Sequence, residues 1–166
     1  MIITDFDNTL VDTLKAAKDH KDVFISKFNP LSKELFKHKN PDIILHDVIT
    51  MERLATNKKY RIIKVIRYMT DVLRDRDITI ITMRPNLEMY IVKELFPEFN
   101  IKAIHDGLTI NDKVEYIHEH EPMFYFEDDS RVLTKIKRKI KTRMIVPVHY
   151  FNRKEVYADK RYILIE

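Results

Sequence analysis

Asp5 and Asp7, Thr82, and the run Glu127-Asp128-Asp129 are the residues of this 166-residue chain with the most chemistry to offer. Each group closes a short apolar run of strand length: Ile2–Asp5, Ile78–Thr82 and Met123–Glu127. If those runs are neighbouring parallel strands, carboxylates and hydroxyls far apart in sequence gather at the C-terminal rim of one sheet. Such a cluster is costly unless a cation neutralises it. A ligand set made only of oxygens, without His or Cys, points to Mg²⁺. The Asp-x-Asp spacing needs a turn directly after Asp5 to bring Asp7 round, and Asn8 can adopt the left-handed conformation that glycine often supplies there.

The elements that must position these groups are legible in the hydrophobic pattern. Leu10, Leu14, Ala17, Phe24 and Phe28 recur at helical spacing until Asn29-Pro30, and Asn40-Pro41 opens a further helical stretch. Ile62, Val65, Ile66, Met69, Val72 and Leu73 form the clearest amphipathic stripe, ended by Asp75-Arg76-Asp77. After the Ile78–Thr82 strand, Pro85-Asn86 opens a helix to about Phe96. Ile101–His105 is a strand, and Thr109 with Asp112 forms a capping box for a helix through His118. After Met123–Glu127, Ser130 caps a helix to about Lys141, Met144–Val148 is a strand and Tyr162–Ile165 a late one. Helix and strand alternate from Arg61 onward, which predicts an α/β fold with a parallel sheet and right-handed crossovers. Residues 12–58 read as a small helical insertion beside the sheet's C-terminal edge, where ligands bind in open α/β sheets.

The set Asp5-Phe6-Asp7-Asn8-Thr9-Leu10-Val11-Asp12-Thr13, Thr82, Lys113 and Glu127-Asp128-Asp129 resembles the haloacid dehalogenase-like (HAD) superfamily of phosphohydrolases. Four motifs occur in the family's order, each in its expected strand or helix context. They span nearly the whole core and leave only 12–58 and the tail after about Val148 unassigned. The resemblance implies a single HAD-like domain over 1–166: a Rossmannoid parallel sheet flanked by helices, with 12–58 as a reduced cap. It further implies a Mg²⁺-dependent phosphatase acting on a small-molecule phosphate monoester. Asp5 would be the nucleophile that forms an aspartyl-phosphate. Asp7 would protonate the leaving alcohol and then activate water. Thr82 would hydrogen-bond a phosphoryl oxygen, and Lys113 would steady Asp5 and the phosphate. Lys102 is its rival but lies within a strand. The metal would be held by Asp5, Asp7 through its carbonyl, Asp128, and Asp129 as a further ligand or water holder; a plain helix cap is the other reading of Asp129. Many members carry glycine where this chain has Asn8 and Glu127.

The physical demand behind that set is clear. A carboxylate attacking a phosphate dianion meets like charge, costing about 5 kcal/mol per charge pair at about 3.5 Å and an effective dielectric of about 20. A divalent cation and a lysine must cancel it. Arg84, two residues past Thr82, reads as a surface arginine or as a substrate contact.

Composition narrows the alternatives. There is no cysteine, which excludes disulfides, thiolate nucleophiles and cysteine zinc sites. No apolar run approaches a membrane span and no basic leader opens the chain, so a cytoplasmic protein without a membrane partner is expected. The net charge is +4, yet Arg131–Arg143 alone holds seven basic and no acidic residues, leaving the rest at −3. That stretch reads as the solvated face of a helix with Val132, Leu133, Ile136 and Ile140 inward. It keeps a second substrate in play, a phosphorylated nucleic-acid end. His118-x-His120 reads as exposed histidines, since residues two apart share no helix face. Phe24, Phe28 and Phe36 read as insert core; with Tyr60 they would otherwise stack a base, which makes a nucleotidase the first guess. A non-catalytic HAD-like binding protein is the reading outside enzymes, with intact Asp5 and Asp7 against it.

Overall fold

The computed structural model describes residues 1–19, 57–73 and 76–166. Six strands, β1 (Ile2–Thr4), β2 (Asp77–Ile81), β3 (Asn100–His105), β4 (Phe124–Phe126), β5 (Arg143–Pro147) and β6 (Tyr162–Ile165), form one sheet. Every pairing is parallel, in the order β3-β2-β1-β4-β5-β6. The helices are α1 (Thr13–Asp19), α2 (Ile63–Leu73), α3 (Met89–Leu95), α4 (Ile110–His120), α5 (Ser130–Leu133) and α6 (Arg153–Ala158). The α/β class and parallel sheet read from the alternation are therefore present.

Strand alternation builds two apolar layers. Ile2, Ile78, Ile80, Phe124 and Phe126 face one way and pack with Val65, Ile66 and Met69 of α2 and with Ile91, Val92 and Leu95 of α3. Ile3, Ile81 and Tyr125 face the other way and pack with Ile117 of α4, Val132 and Leu133 of α5, and Val156 of α6. With both faces covered, β1 and β4 are apolar at consecutive positions, as buried parallel strands require. No helix among the described residues is long and apolar enough to cross a membrane.

Three elements differ from the sequence reading. The helix expected to run from Ser130 to Lys141 stops at Leu133. Lys135, Lys137, Arg138, Lys139 and Lys141 are all exposed with no acidic residue among them, so helical spacing would stack like charges. Ile136 still turns inward and Ile140 partly so. The helix expected from Pro85 begins at Met89, because Asn86 sits at φ 57° and the Leu87 N–H donates to Asp106 Oδ2 at 2.9 Å. Helix α6 lies in the unassigned tail, and Val156 is its one buried residue, too little for a periodic signal. Most of the expected 12–58 insertion, with Phe24, Phe28 and Phe36, lies outside the described residues. Tyr60 is 1% exposed and donates its hydroxyl to Asp19, so it is not a stacking surface.

Candidate active site

Strands β1 and β4 end level, and β2 beside them runs one residue further, to Ile81. Thr4 lies opposite Ile80 on β2 and Phe126 on β4, so Asp5 and Glu127 leave the sheet side by side. The Asp5 N–H still donates to Phe126 O at 2.8 Å, and Glu127 N–H to Ile145 O at 3.2 Å, which fixes both backbones. Beyond Asp5 the chain turns tightly. Phe6 O accepts from Leu10 and Val11 N–H, and Asn8 takes φ 56°, the left-handed conformation expected of it. The Asn8 side chain accepts from Leu14 N–H at 3.1 Å and so ties the turn to the start of α1.

Lys113 comes from the first turns of α4, whose N-terminus carries the expected Thr109/Asp112 capping box. Its ammonium reaches Asp5 Oδ1 at 2.9 Å and Glu127 Oε2 at 2.6 Å. The Tyr125 hydroxyl donates to the same Glu127 oxygen. Thr9 Oγ1 lies 3.0 Å from Asp128 Oδ1 and 3.5 Å from Asp5 Oδ2, bridging the two acidic turns. Asp5, Lys113, Glu127 and Asp128 are all buried. Burial pushes the Asp5 carboxyl well above its ordinary range; Lys113 opposes this, while Glu127 and Asp7 reinforce it. Burial alone would lower Lys113, but the Asp5 and Glu127 carboxylates outweigh it and hold the ammonium above its usual value.

Asp7 is held differently. Arg84 Nε reaches Asp7 Oδ2 at 3.0 Å and its Nη2 reaches Oδ1 at 2.5 Å, a two-point fork, and the Thr13 hydroxyl donates to the same carboxylate. Arg84 is 1% exposed, so the surface reading of it is overturned. Only an ion pair lets a guanidinium sit that deep. Its backbone N–H donates to Thr82 Oγ1 at 3.1 Å, so Thr82 and Arg84 belong to one turn at the end of β2. Asp129 caps α5 through Arg131 N–H at 2.8 Å and pairs with the Arg131 guanidinium at 2.6 Å.

Asp5, Asp7, Thr82, Lys113, Asp128 and Asp129 all line one small cleft of about 20 Å³, room for about one water-sized group. Ligand oxygens of Asp5, Glu127 and Asp128 lie within 4.8 Å of one another. Of the expected carboxylates, the structure thus gathers Asp5 and Asp128, adds Glu127, and keeps those of Asp7 and Asp129 on arginines. Four buried carboxylates, Asp5, Asp7, Glu127 and Asp128, face two buried cations, Lys113 and Arg84. With all four ionised, two negative charges are left, and the donors are all oxygen, so the residues fit a hard divalent cation. Sequence reasoning missed Glu127 as a participant, although its place between a strand and Asp128 marked it. It also missed the roles of Thr9 and Thr13, whose hydroxyls follow the first motif. No family model, curated protein or solved structure matches the chain.

Proposed function

We propose that this protein is a HAD-like phosphatase that hydrolyses a small phosphate monoester with Mg²⁺ through an aspartyl-phosphate on Asp5. The observation that carries the reading is the Asp5 carboxylate, buried at the tip of the central strand. Lys113 holds one of its oxygens, and the acidic turn after the neighbouring parallel strand stands beside it. The strand order, with β1 between β2 and β4, supports it further, because it brings all four motif segments to one rim.

In this reading an Asp5 oxygen attacks phosphorus while the bond to the leaving oxygen breaks, and a proton from Asp7 goes to that oxygen. Water then attacks phosphorus of the acyl phosphate, Asp7 takes its proton, and the Asp5–phosphorus bond breaks to release orthophosphate. Arg84 and Thr13 orient the Asp7 side chain, and the first transfer requires that Asp7 carry its proton on an oxygen released from the Arg84 fork. Lys113 offsets the charge that the phosphoryl oxygens carry toward Asp5, and Thr82 donates to one of them. Asp5, Asp128 and Glu127, with the Asp7 carbonyl, would hold Mg²⁺, which supplies electrostatic stabilisation of the phosphoryl group.

A second reading is favoured by Arg131, which lines the cleft and heads the exposed basic run to Arg143. A phosphorylated oligonucleotide end would lie along it. The Glu115 and Glu119 side chains share a surface groove with Lys137 and weaken that field, so the small ester is preferred. The test is a Mg²⁺-dependent hydrolysis screen over sugar phosphates, nucleoside monophosphates and 3′- or 5′-phosphorylated oligonucleotides. Hydrolysis that needs Mg²⁺ and Asp5 supports the proposal; no hydrolysis of any monoester refutes it.

A further inference from the structure

The segment after β5 has no part in the chemistry above, yet it touches both acidic turns. Asn152 is 1% exposed, and its amide nitrogen donates to Asp128 O at 2.9 Å and to Pro147 O at 3.0 Å. Its amide oxygen accepts from His149 N–H at 2.8 Å. The His149 ring nitrogen Nε2 lies 2.6 Å from Asn8 O; a carbonyl only accepts, so that nitrogen carries the proton. The ring stacks on Phe151, centroids 5.0 Å apart and planes within 8°. The result is a continuous hydrogen-bonded path from Asn8 O through His149 and Asn152 to Asp128 O. It joins the turn after β1 to the turn after β4 through backbone carbonyls, and it does not use the carboxylates.

The path is itself anchored. Val148 N–H donates to Ile165 O at 2.9 Å. The Lys64 ammonium, from the first turn of α2, reaches Val148 O at 3.2 Å and Ile165 O at 3.0 Å. Lys113 bridges Asp5 and Glu127, but Asp128 adds a third carboxylate to the same cleft, so like charge still presses the two turns apart when no metal ion lies there. A brace on the backbone resists that parting and keeps the oxygens at binding distance in advance, which lowers the cost of binding.

We infer that the loop 148–152, through the His149 ring and the Asn152 amide, is a positioning clamp that fixes the gap between the Asp5–Asn8 turn and the Glu127–Asp129 turn and so sets how tightly the site holds a divalent cation. The inference rests on the cation site proposed above. His149 and Asn152 are positioning residues, since neither reaches the reacting atoms.

The experiment titrates Mg²⁺ calorimetrically into the full chain and into His149→Phe, His149→Gln and Asn152→Ala, with melting temperatures taken in EDTA. Phenylalanine keeps the stack on Phe151 but loses the donor. Glutamine carries an amide that can donate to Asn8 O. His149→Phe and Asn152→Ala are expected to raise the Mg²⁺ dissociation constant about 10- to 100-fold, the usual effect of losing a partner that orients metal ligands. His149→Gln recovers most of that loss, His149→Phe melts close to wild type, and its turnover returns at saturating Mg²⁺. If Asn152→Ala fails to fold, the two His149 variants decide. Mg²⁺ binding by wild type with unchanged affinity in His149→Phe overturns the clamp and leaves the proposed function standing. So does an affinity that glutamine does not restore. A wild-type chain that binds no Mg²⁺ overturns both.

Discussion

Replacing Asp5 by asparagine separates the chemistry of the site from its stability. The Lys113 ammonium lies 2.9 Å from Asp5 Oδ1, an attraction of about 6 kcal/mol at an effective dielectric of about 20. Glu127 and Asp128 have oxygens within 4.8 Å, which sets their combined repulsion at about 7 kcal/mol or more on the same scale. The two nearly cancel, and Asn also escapes the cost of burying a charge. Without metal, Asp5→Asn is therefore expected to hold or gain stability, on the order of 1 kcal/mol. The gain should depend on pH. Asp5 has a folded pKa raised above its ordinary 3.8, so the folded state binds more protons than the unfolded state between the two values. Wild-type stability therefore falls as pH rises from the ordinary carboxylate value through the elevated one, and the variant lacks that slope. Urea unfolding in EDTA at pH 5 and pH 8 reads the difference. Turnover with saturating Mg²⁺ should drop by about 10³-fold or more, because a neutral amide does not attack phosphorus. Turnover at a tenth of wild type or better would remove Asp5 from the nucleophile role. A large loss of stability in EDTA would refute the charge accounting.

Lys113→Met keeps the stem but strips Asp5 and Glu127 of their shared cation, and should cost about 3–5 kcal/mol in urea unfolding; a negligible loss would mean that water already reaches those carboxylates. Asp128→Asn should weaken Mg²⁺ far more than Asp129→Asn in a calorimetric titration, since the Asp129 carboxylate is already taken by Arg131 and asparagine still caps α5. Equal losses would move Asp129 into the metal shell. Hydrolysis of a mononucleotide should change little between low and high salt; a strong low-salt preference for a phosphorylated oligonucleotide, abolished by reversing charge at Lys137, Lys139 and Lys141, would favour the nucleic-acid end.

The strands were legible because each is a short apolar run closed by a polar residue, and the carboxylates at their ends followed from that alone. Asn8 was legible too, because few residues other than glycine accept φ 56°. What the pattern did not show was which charge answers which. Arg84 looks like any exposed arginine until β1 and β2 are adjacent and Asp7 lies against it. Glu127 looked like a substitution for glycine until Lys113 arrived from α4. His149 and Asn152 act through backbone carbonyls, which leave no trace in residue types. The shortness of α5 goes with like charges at helical spacing from Lys135 to Lys141, a local effect that the apolar spacing of Ile136 and Ile140 masked.

The level ending of β1 and β4 makes residue count a form of measurement. Each residue advances a strand by about 3.3 Å and turns its side chain to the opposite face. One residue added within β4 would carry Asp128 past its partners and exchange the layers in which Phe124, Tyr125 and Phe126 are buried. The same residue added among the exposed lysines at 137–141 lies between two strands and is absorbed before β5 begins. Insertions and deletions in this chain are therefore read by the strands as errors of distance and by the links between them as slack.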